Sequence, residues 1–93
     1  MSRQVVAKAR FLRAYHRLSD ADQGLIDSAL KHFQGYLHTG HAPGGLGIKH
    51  VGGRTYELRV SLALRIVYVI EGSEVVLSLL GNHDEVRRFL RQQ

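Results

Sequence analysis

The sequence predicts an α+β domain: an N-terminal helical hairpin packed on one face of a twisted antiparallel sheet of three to four strands, followed by a short C-terminal helix. Three observations lead to this class. Between residues 19 and 40, apolar side chains recur at the spacing of an amphipathic helix. Residues 54–61 (RTYELRVS) alternate between apolar and polar side chains, as a strand with one buried face does. Two longer apolar runs follow, and residues 71–74 (EGSE) join them as a hairpin.

Two helices are predicted before the sheet. Residues 8–18 place apolar side chains at helical spacing and set three arginines on another face, which we interpret as solvated. In the second helix, Ser19 is the predicted N-cap and Gly40 the predicted end. Its predicted apolar face consists of Ala21, Leu25, Ile26, Ala29, Leu30, Phe33 and Leu37. Because only a short polar link separates the two helices, we expect them to lie antiparallel.

The remaining segments are shorter. Residues 3–7 (RQVVA) are compatible with a short strand, and residues 41–47 (HAPGGLG) are predicted as a loop. Asn82 is a predicted N-cap for the last helix, with Glu85 three residues later as its capping-box partner.

The hairpin loops predict which strand residues are neighbours. Counting back from the two-residue loop at residues 72–73 puts Arg65 opposite Leu80. In the preceding hairpin, keeping the apolar positions on one face puts Arg59 opposite Arg65, with residues 61–63 as the loop. A slip of one residue would turn Arg65 into the core, which is costly for a charged group.

These registers predict a site on one sheet face. Glu57, Arg59 and Arg65 share that face, and His83 lies near its rim. Two opposed arginines repel by roughly 0.2–1 kcal/mol, and a bound anion would remove that conflict. The apolar residues predicted beside them, which a partner would cover, are Val67, Val69, Val76 and Leu80. The alternative is a surface ion-pair network with His83 as a helix-cap residue.

Composition narrows the class of protein. The chain has 93 residues and a formal net charge of +5, which indicates a nucleic acid or an acidic protein segment as partner, or a surface that is merely basic. It has no cysteine, which excludes disulfides, thiolate nucleophiles and zinc–thiolate sites. No apolar run approaches the ~20 residues of a membrane span. We expect one domain over residues 1–93, located in the cytoplasm and not in a membrane.

We expect no metal ion and no cofactor. His38, His41 and His50 are close in sequence, but no carboxylate or cysteine accompanies them between residues 38 and 50.

The segment from Gly45 to Leu90 resembles the RelE/ParE family of bacterial toxins from toxin–antitoxin pairs. The residues that carry the resemblance are Leu46 and Lys49 in a Leu-x-x-Lys stretch, then YELRV, LRIVYVI and an acidic-Gly turn. The final strand ends in GNHDE, which is similar to members with a histidine where others have arginine. The resemblance implies a RelE-like, microbial ribonuclease-like fold for the whole chain.

The resemblance also implies an activity. Many members of the family cut mRNA at the ribosome without a metal, by attack of the ribose 2′-hydroxyl on its own 3′-phosphate. By position, Arg65 matches the phosphate-stabilising arginine, Arg59 a basic position on the preceding strand, and His83 the C-terminal catalytic position. Glu57 is a candidate base.

Four further positions are candidate substrate-binding residues by the same resemblance. Lys49 matches a basic position, His50 is a second candidate base, and Arg54 is a further cation. Phe89 lies roughly where some members stack an aromatic ring on a base. No tyrosine follows Tyr68, so members with a C-terminal catalytic tyrosine are a poor model for this chain.

The implied partners are a cognate antitoxin, the ribosome and mRNA, with operator DNA reached only through the antitoxin. Two alternatives stay open. The ParE branch shares the fold and binds DNA gyrase without being a nuclease, and a basic domain of this size can simply bind nucleic acid.

Overall fold

The computed structural model describes residues 3–41 and 46–92, so residues 42–45 of the predicted loop lie outside it. The described residues form three helices and a five-stranded sheet. In chain order the elements are β1 (Gln4–Ala7), α1 (Ala9–Arg17), α2 (Asp20–Thr39), β2 (Gly47–Gly52), β3 (Thr55–Arg59), β4 (Arg65–Glu71), β5 (Glu74–Gly81) and α3 (His83–Arg91). None of the helices in these residues is long and apolar enough to cross a membrane.

The sheet has the order β1-β5-β4-β3-β2 and is mixed. β1 pairs with β5 in parallel, with Val5 beside Val75, and the other neighbours are antiparallel. The predicted α+β class is confirmed, but the prediction of three to four antiparallel strands is wrong. β1 has only four residues, and its partner strand lies about 70 positions further along the chain. No local turn signals such a pairing, which explains why the sequence pattern did not reveal it.

The two N-terminal helices form at the predicted places. Ser19 caps α2 by accepting a hydrogen bond from the Asp22 amide at 3.2 Å, and Gly40 ends α2 at φ 79°. The predicted hairpin is matched only in part. The Tyr15 hydroxyl donates to Asp27 on α2 at 2.7 Å, but the α1 backbone packs against β5. Because β1 leads directly into α1, the edge of the sheet fixes the position of this helix.

The main core lies between the helices and one sheet face. Phe33 of α2 is fully buried and packs on Tyr68 of β4, with ring centroids 4.7 Å apart. Tyr68 in turn stacks on Tyr56 of β3 at 5.3 Å. Leu25, which was predicted on the apolar face of α2, is 46% exposed, so the buried stripe runs through Ile26 and Phe33 instead.

A β-bulge changes the register of the last hairpin. The pairing follows the prediction from the turn as far as Tyr68 opposite Leu77. One extra residue on β5 then shifts the pairing, so that Arg65 lies opposite Gly81. The predicted partner, Leu80, is therefore wrong by one position and belongs to the main core.

α3 packs against β4 and β5 on the opposite sheet face. Gly81 pairs with Arg65, so a Cβ atom added to Gly81 would point to the same sheet face as Arg65. That atom would lie 3.0 Å from the Glu85 side chain, which shows that α3 covers this face. Val67, Val76 and Val86 are buried there, outside the main core cluster. Of the four apolar residues predicted for a partner, only Val69 remains half-buried on this face.

Candidate functional site

A cleft of about 340 Å³ opens on the second sheet face, beside α3. Its lining residues are Gly47, Ile48, Lys49, Glu57, Arg59, Arg65 and His83. Five of the eight predicted site residues therefore meet in one place. They come from β2, β3, β4 and the start of α3, so the site is assembled by the sheet and not by one segment of the chain.

The strand register places the charged residues in two adjacent rows across the sheet, one containing Lys49 and Glu57 and the other containing Arg59 and Arg65. Lys49 pairs with Glu57, and Arg59 pairs with Arg65, as predicted for the second pair. Gly47 lies on the other side of Arg59, and a Cβ atom there would be 3.4 Å from the Cβ of Arg59. Because residues two apart on a strand share a face, Glu57 and Arg59 point into the same cleft.

An ion pair joins the two rows. Nη1 of Arg65 donates to Oε2 of Glu57 at 2.8 Å, and the side chains are 17% and 10% exposed. Nε of Arg65 is buried and has no hydrogen-bond acceptor among residues 3–41 and 46–92. Arg59, by contrast, is exposed, and no carboxylate of the described chain lies within 4 Å of it. Of the two opposed arginines, Arg65 is therefore neutralised by a carboxylate, and Arg59 is not.

His83 reaches the cleft because α3 begins directly after β5. The Asn82 side chain accepts from the Glu85 amide at 2.8 Å, and the Glu85 carboxylate accepts from the Asn82 amide at 2.9 Å. This is the predicted capping box. It fixes the first turn of the helix, in which His83 is the first residue. Gly81 leaves the space that Glu85 occupies.

Three predicted binding residues lie away from the cleft. His50 is on the opposite sheet face, where its ring is 5.0 Å from that of Tyr56 and its Nε2 lies 2.7 Å from the Gly53 carbonyl oxygen, to which an Nε2–H donates. Arg54 is in the turn before β3, roughly 17 Å along the strand direction from Arg59. The structure brings neither residue to the other cations.

Phe89 is the third of these residues. It is half-buried on α3, and the guanidinium carbon of Arg10 lies 5.4 Å from its ring centroid. Phe89 thus contributes to the contact between α1 and α3 through a cation–π interaction, and it does not line the cleft.

The sequence reasoning missed Gly47 and Ile48 as lining residues. A signal for them was present in Gly52 and Gly53, a glycine pair that is typical of a tight hairpin turn. Both glycines have positive φ, at 145° and 50°, and the turn pairs β2 with β3. Counting back from Gly52 opposite Thr55 would have placed Ile48 beside Arg59, and a β-bulge between His50 and Gly52 shifts the pairing by one residue, so that Gly47 lies there instead.

No protein-family model and no curated protein sequence matches the chain. Solved structures do match. A chain of the RelB–RelE antitoxin–toxin complex from Methanococcus jannaschii aligns with a TM-score of 0.66 at 10% identity, over 90% of this chain and 96% of that chain.

Two bacterial structures give the same result. The YoeB/ParE toxin from Agrobacterium tumefaciens aligns with a TM-score of 0.66 at 19% identity, over 86% of this chain and 98% of that chain. The E. coli DinJ–YafQ toxin–antitoxin complex aligns with a TM-score of 0.64 at 15% identity, over 92% and 98% of the two chains.

The chain has a RelE-like fold. Its structural neighbours are RelE-, YoeB-, YafQ- and ParE-like toxins of toxin–antitoxin systems, which confirms the predicted resemblance. Within this RelE-like fold, the cleft described above is the place where cations from three strands and a histidine converge.

Proposed function

We propose that this chain is the toxin of a toxin–antitoxin pair and that it cuts mRNA at the ribosome as a metal-independent endoribonuclease. The observation that carries the proposal is the convergence of Lys49, Glu57, Arg59, Arg65 and His83 in one cleft. The RelE-like fold supports it, because toxins share that fold. The set contains what cleavage of a phosphodiester without metal needs: a base, an acid and cations.

The proposed reaction begins at the ribose 2′-hydroxyl. The Glu57 carboxylate takes the hydroxyl proton through Oε1, because Arg65 contacts Oε2. The 2′-oxygen then forms a bond to the 3′-phosphorus, and negative charge grows on the phosphate oxygens. Arg59 and Arg65 stabilise that charge with planar guanidinium groups, which match phosphate geometry.

His83 completes the reaction on the leaving side. As the bond between phosphorus and the 5′-oxygen breaks, the imidazolium donates its proton to that oxygen. The products are a 2′,3′-cyclic phosphate and a free 5′-hydroxyl, and the proton lost by the 2′-hydroxyl is balanced by the one His83 gives. Histidine is chemically suited to this role near neutral pH.

The antitoxin belongs to the same proposal. Three of the structural neighbours are complexes with the antitoxins RelB or DinJ. An acidic segment suits the cleft, because Lys49 and Arg59 are exposed cations. The apolar residues predicted for an antitoxin surface are largely covered by α3. The expectation of an acidic antitoxin segment therefore rests on the exposed cations of the cleft.

The test is induced expression followed by primer extension on cellular mRNA. Cuts within codons are expected for the wild type. Arg59→Ala should reduce cutting more than a hundredfold, equivalent to about 3 kcal/mol of transition-state stabilisation. His83→Ala should reduce cutting on the order of 10²–10⁴-fold through lost proton transfer.

Arg54→Ala is the matched control, because Arg54 is also an exposed arginine but lies outside the cleft. It should cut like the wild type. Wild-type cutting by folded Arg59→Ala and His83→Ala proteins would overturn the assignment. If the wild type is toxic but leaves no cuts in mRNA, and the His83→Ala protein is still toxic, the gyrase-binding alternative is favoured instead.

A further inference from the structure

The outer face of α3 carries a charged stripe that starts at the cleft. His83, Arg87 and Arg91 follow one another at intervals of four residues, so they lie one above the other on one side of the helix. His83 lines the cleft, and each arginine lies four residues, about 6 Å, further along the axis. The stripe therefore leads directly out of the proposed reaction site.

A second concavity of about 440 Å³ accompanies the stripe. Its lining residues are Asn82, Asp84, Arg87, Arg88 and Arg91. It adjoins the cleft through the consecutive residues Asn82 and His83. With three arginines and one aspartate, the lining has a net charge of +2.

The three arginines are free to bind an anion. All are exposed, and in residues 3–41 and 46–92 no carboxylate lies within 4 Å of any of them. Arg10 of α1, which also lies near α3, is instead placed over the Phe89 ring. A guanidinium group presents its donors in a fork that binds phosphate in two places at once.

We propose that Arg87 and Arg91 bind phosphates of the RNA strand that occupies the cleft, so that α3 extends the site to flanking nucleotides. The inference rests on the proposed function for the identity of the strand. Two observations support it: the stripe is continuous with the cleft, and its charge complements a polyanion. Arg88 lies about 140° around the helix from His83, but it lines the same concavity and adds its charge to the surface.

The experiment measures RNA binding separately from cleavage. Fluorescence anisotropy follows binding of labelled single-stranded 2′-O-methyl RNA, which cannot be cut at the 2′-position, as a function of salt and of strand length. Each phosphate contact on a single strand contributes about 0.7 to the slope of log K against log salt. The Arg87→Gln/Arg91→Gln double variant should therefore lose about 1.4 from the slope, and should no longer gain affinity as the strand is lengthened.

Arg54→Gln is the matched control, since it removes one exposed arginine that lines neither the cleft nor the concavity beside α3. It should keep the length dependence and most of the slope. Unfolding midpoints of all variants should agree with the wild type, because Arg54, Arg87 and Arg91 are exposed.

The outcomes separate the inference from the proposed function. Normal mRNA cutting by the wild type with no change of slope in the double variant overturns the inference alone. The predicted loss of slope without mRNA cuts supports RNA binding by α3 and overturns the nuclease. A double variant that loses binding to ribosomes, but keeps its length dependence on free strands, assigns the stripe to ribosomal RNA and overturns the inference.

Discussion

The two faces of the sheet are built from alternate residues of the same strands, yet they end in different chemistry. Ile66 and Val67 are consecutive and both fully buried, one in the main core and the other on the α3 side. One strand earlier, Leu58 faces the main core, and its neighbours Glu57 and Arg59 face the cleft. The difference follows from how far each face is covered by helices.

On the first face, the main core reaches from Val5 of β1 at one edge of the sheet to Ile48 of β2 at the other, so apolar residues are needed along all of it. α3 has only nine residues and packs on β4 and β5. Beyond its reach, Lys49 on β2 and Arg59 on β3 stay exposed to water. The site thus lies where helix coverage of the second face ends.

The largest expected effects test the covered parts of the two faces. Ile66→Ala should lower the free energy of unfolding by about 2–5 kcal/mol, because it removes a fully buried aliphatic side chain from the core. Val67→Ala should also be destabilising, by roughly 1.5–3 kcal/mol, because α3 closes over the second face. Urea unfolding followed by circular dichroism measures both.

Val69→Ala is the control for the second face, since Val69 is on the same strand and face but only half-buried. Its cost should be the smallest of the three. A Val67→Ala protein as stable as the wild type would show that α3 does not seal this face in solution, and the comparison would fail.

The next effect concerns the ion pair at the border of the covered region. Arg65→Met should cost about 3 kcal/mol of stability, because it leaves the Glu57 carboxylate buried without its partner. The Glu57→Gln/Arg65→Met double variant should recover part of this loss. A double-mutant cycle should give a coupling of about 0.5–3 kcal/mol, and additive costs would mean that the pair is not formed in solution.

The smallest effect is a pH dependence on the core face. Burial, followed by the nearby Tyr36 and Tyr56, raises the pKa of the Tyr68 phenol above its usual value of 10.0. Above pH 10 the unfolded chain loses this proton and the folded chain keeps it. The free energy of unfolding should therefore fall as pH rises, by up to about 1.4 kcal/mol per pH unit.

Tyr68→Phe has no proton to lose, so comparison of its urea unfolding at pH 10 and pH 11 with that of the wild type isolates this effect. The variant should lose less stability over the interval. Equal losses in the two proteins would show that Tyr68 is reached by water, contrary to its 2% exposure.

Parts of the site were accessible from the sequence. Face parity along β3 and β4 was enough to put Arg59 opposite Arg65, and the cap signal at Asn82 was enough to start α3 at His83. The same rule of alternation argues against His50 as a partner of Lys49, because consecutive strand residues face opposite sides. His50 was assigned from its chemistry alone, and the structure places it with Tyr56.

The sequence by itself determined the local elements: the amphipathic α2 with its caps, the alternating β3 and the hairpin at Gly72, whose φ is 60°. These features depend on residues close together in the chain, so their free energies are decided locally. Only the tertiary structure decided three other features. β1 pairs in parallel with β5, a bulge turns Leu80 into the core, and α3 covers the valines while leaving the cations open. Each depends on contacts between distant residues, and a bulge reverses the facing of every residue beyond it, so no local pattern could supply them.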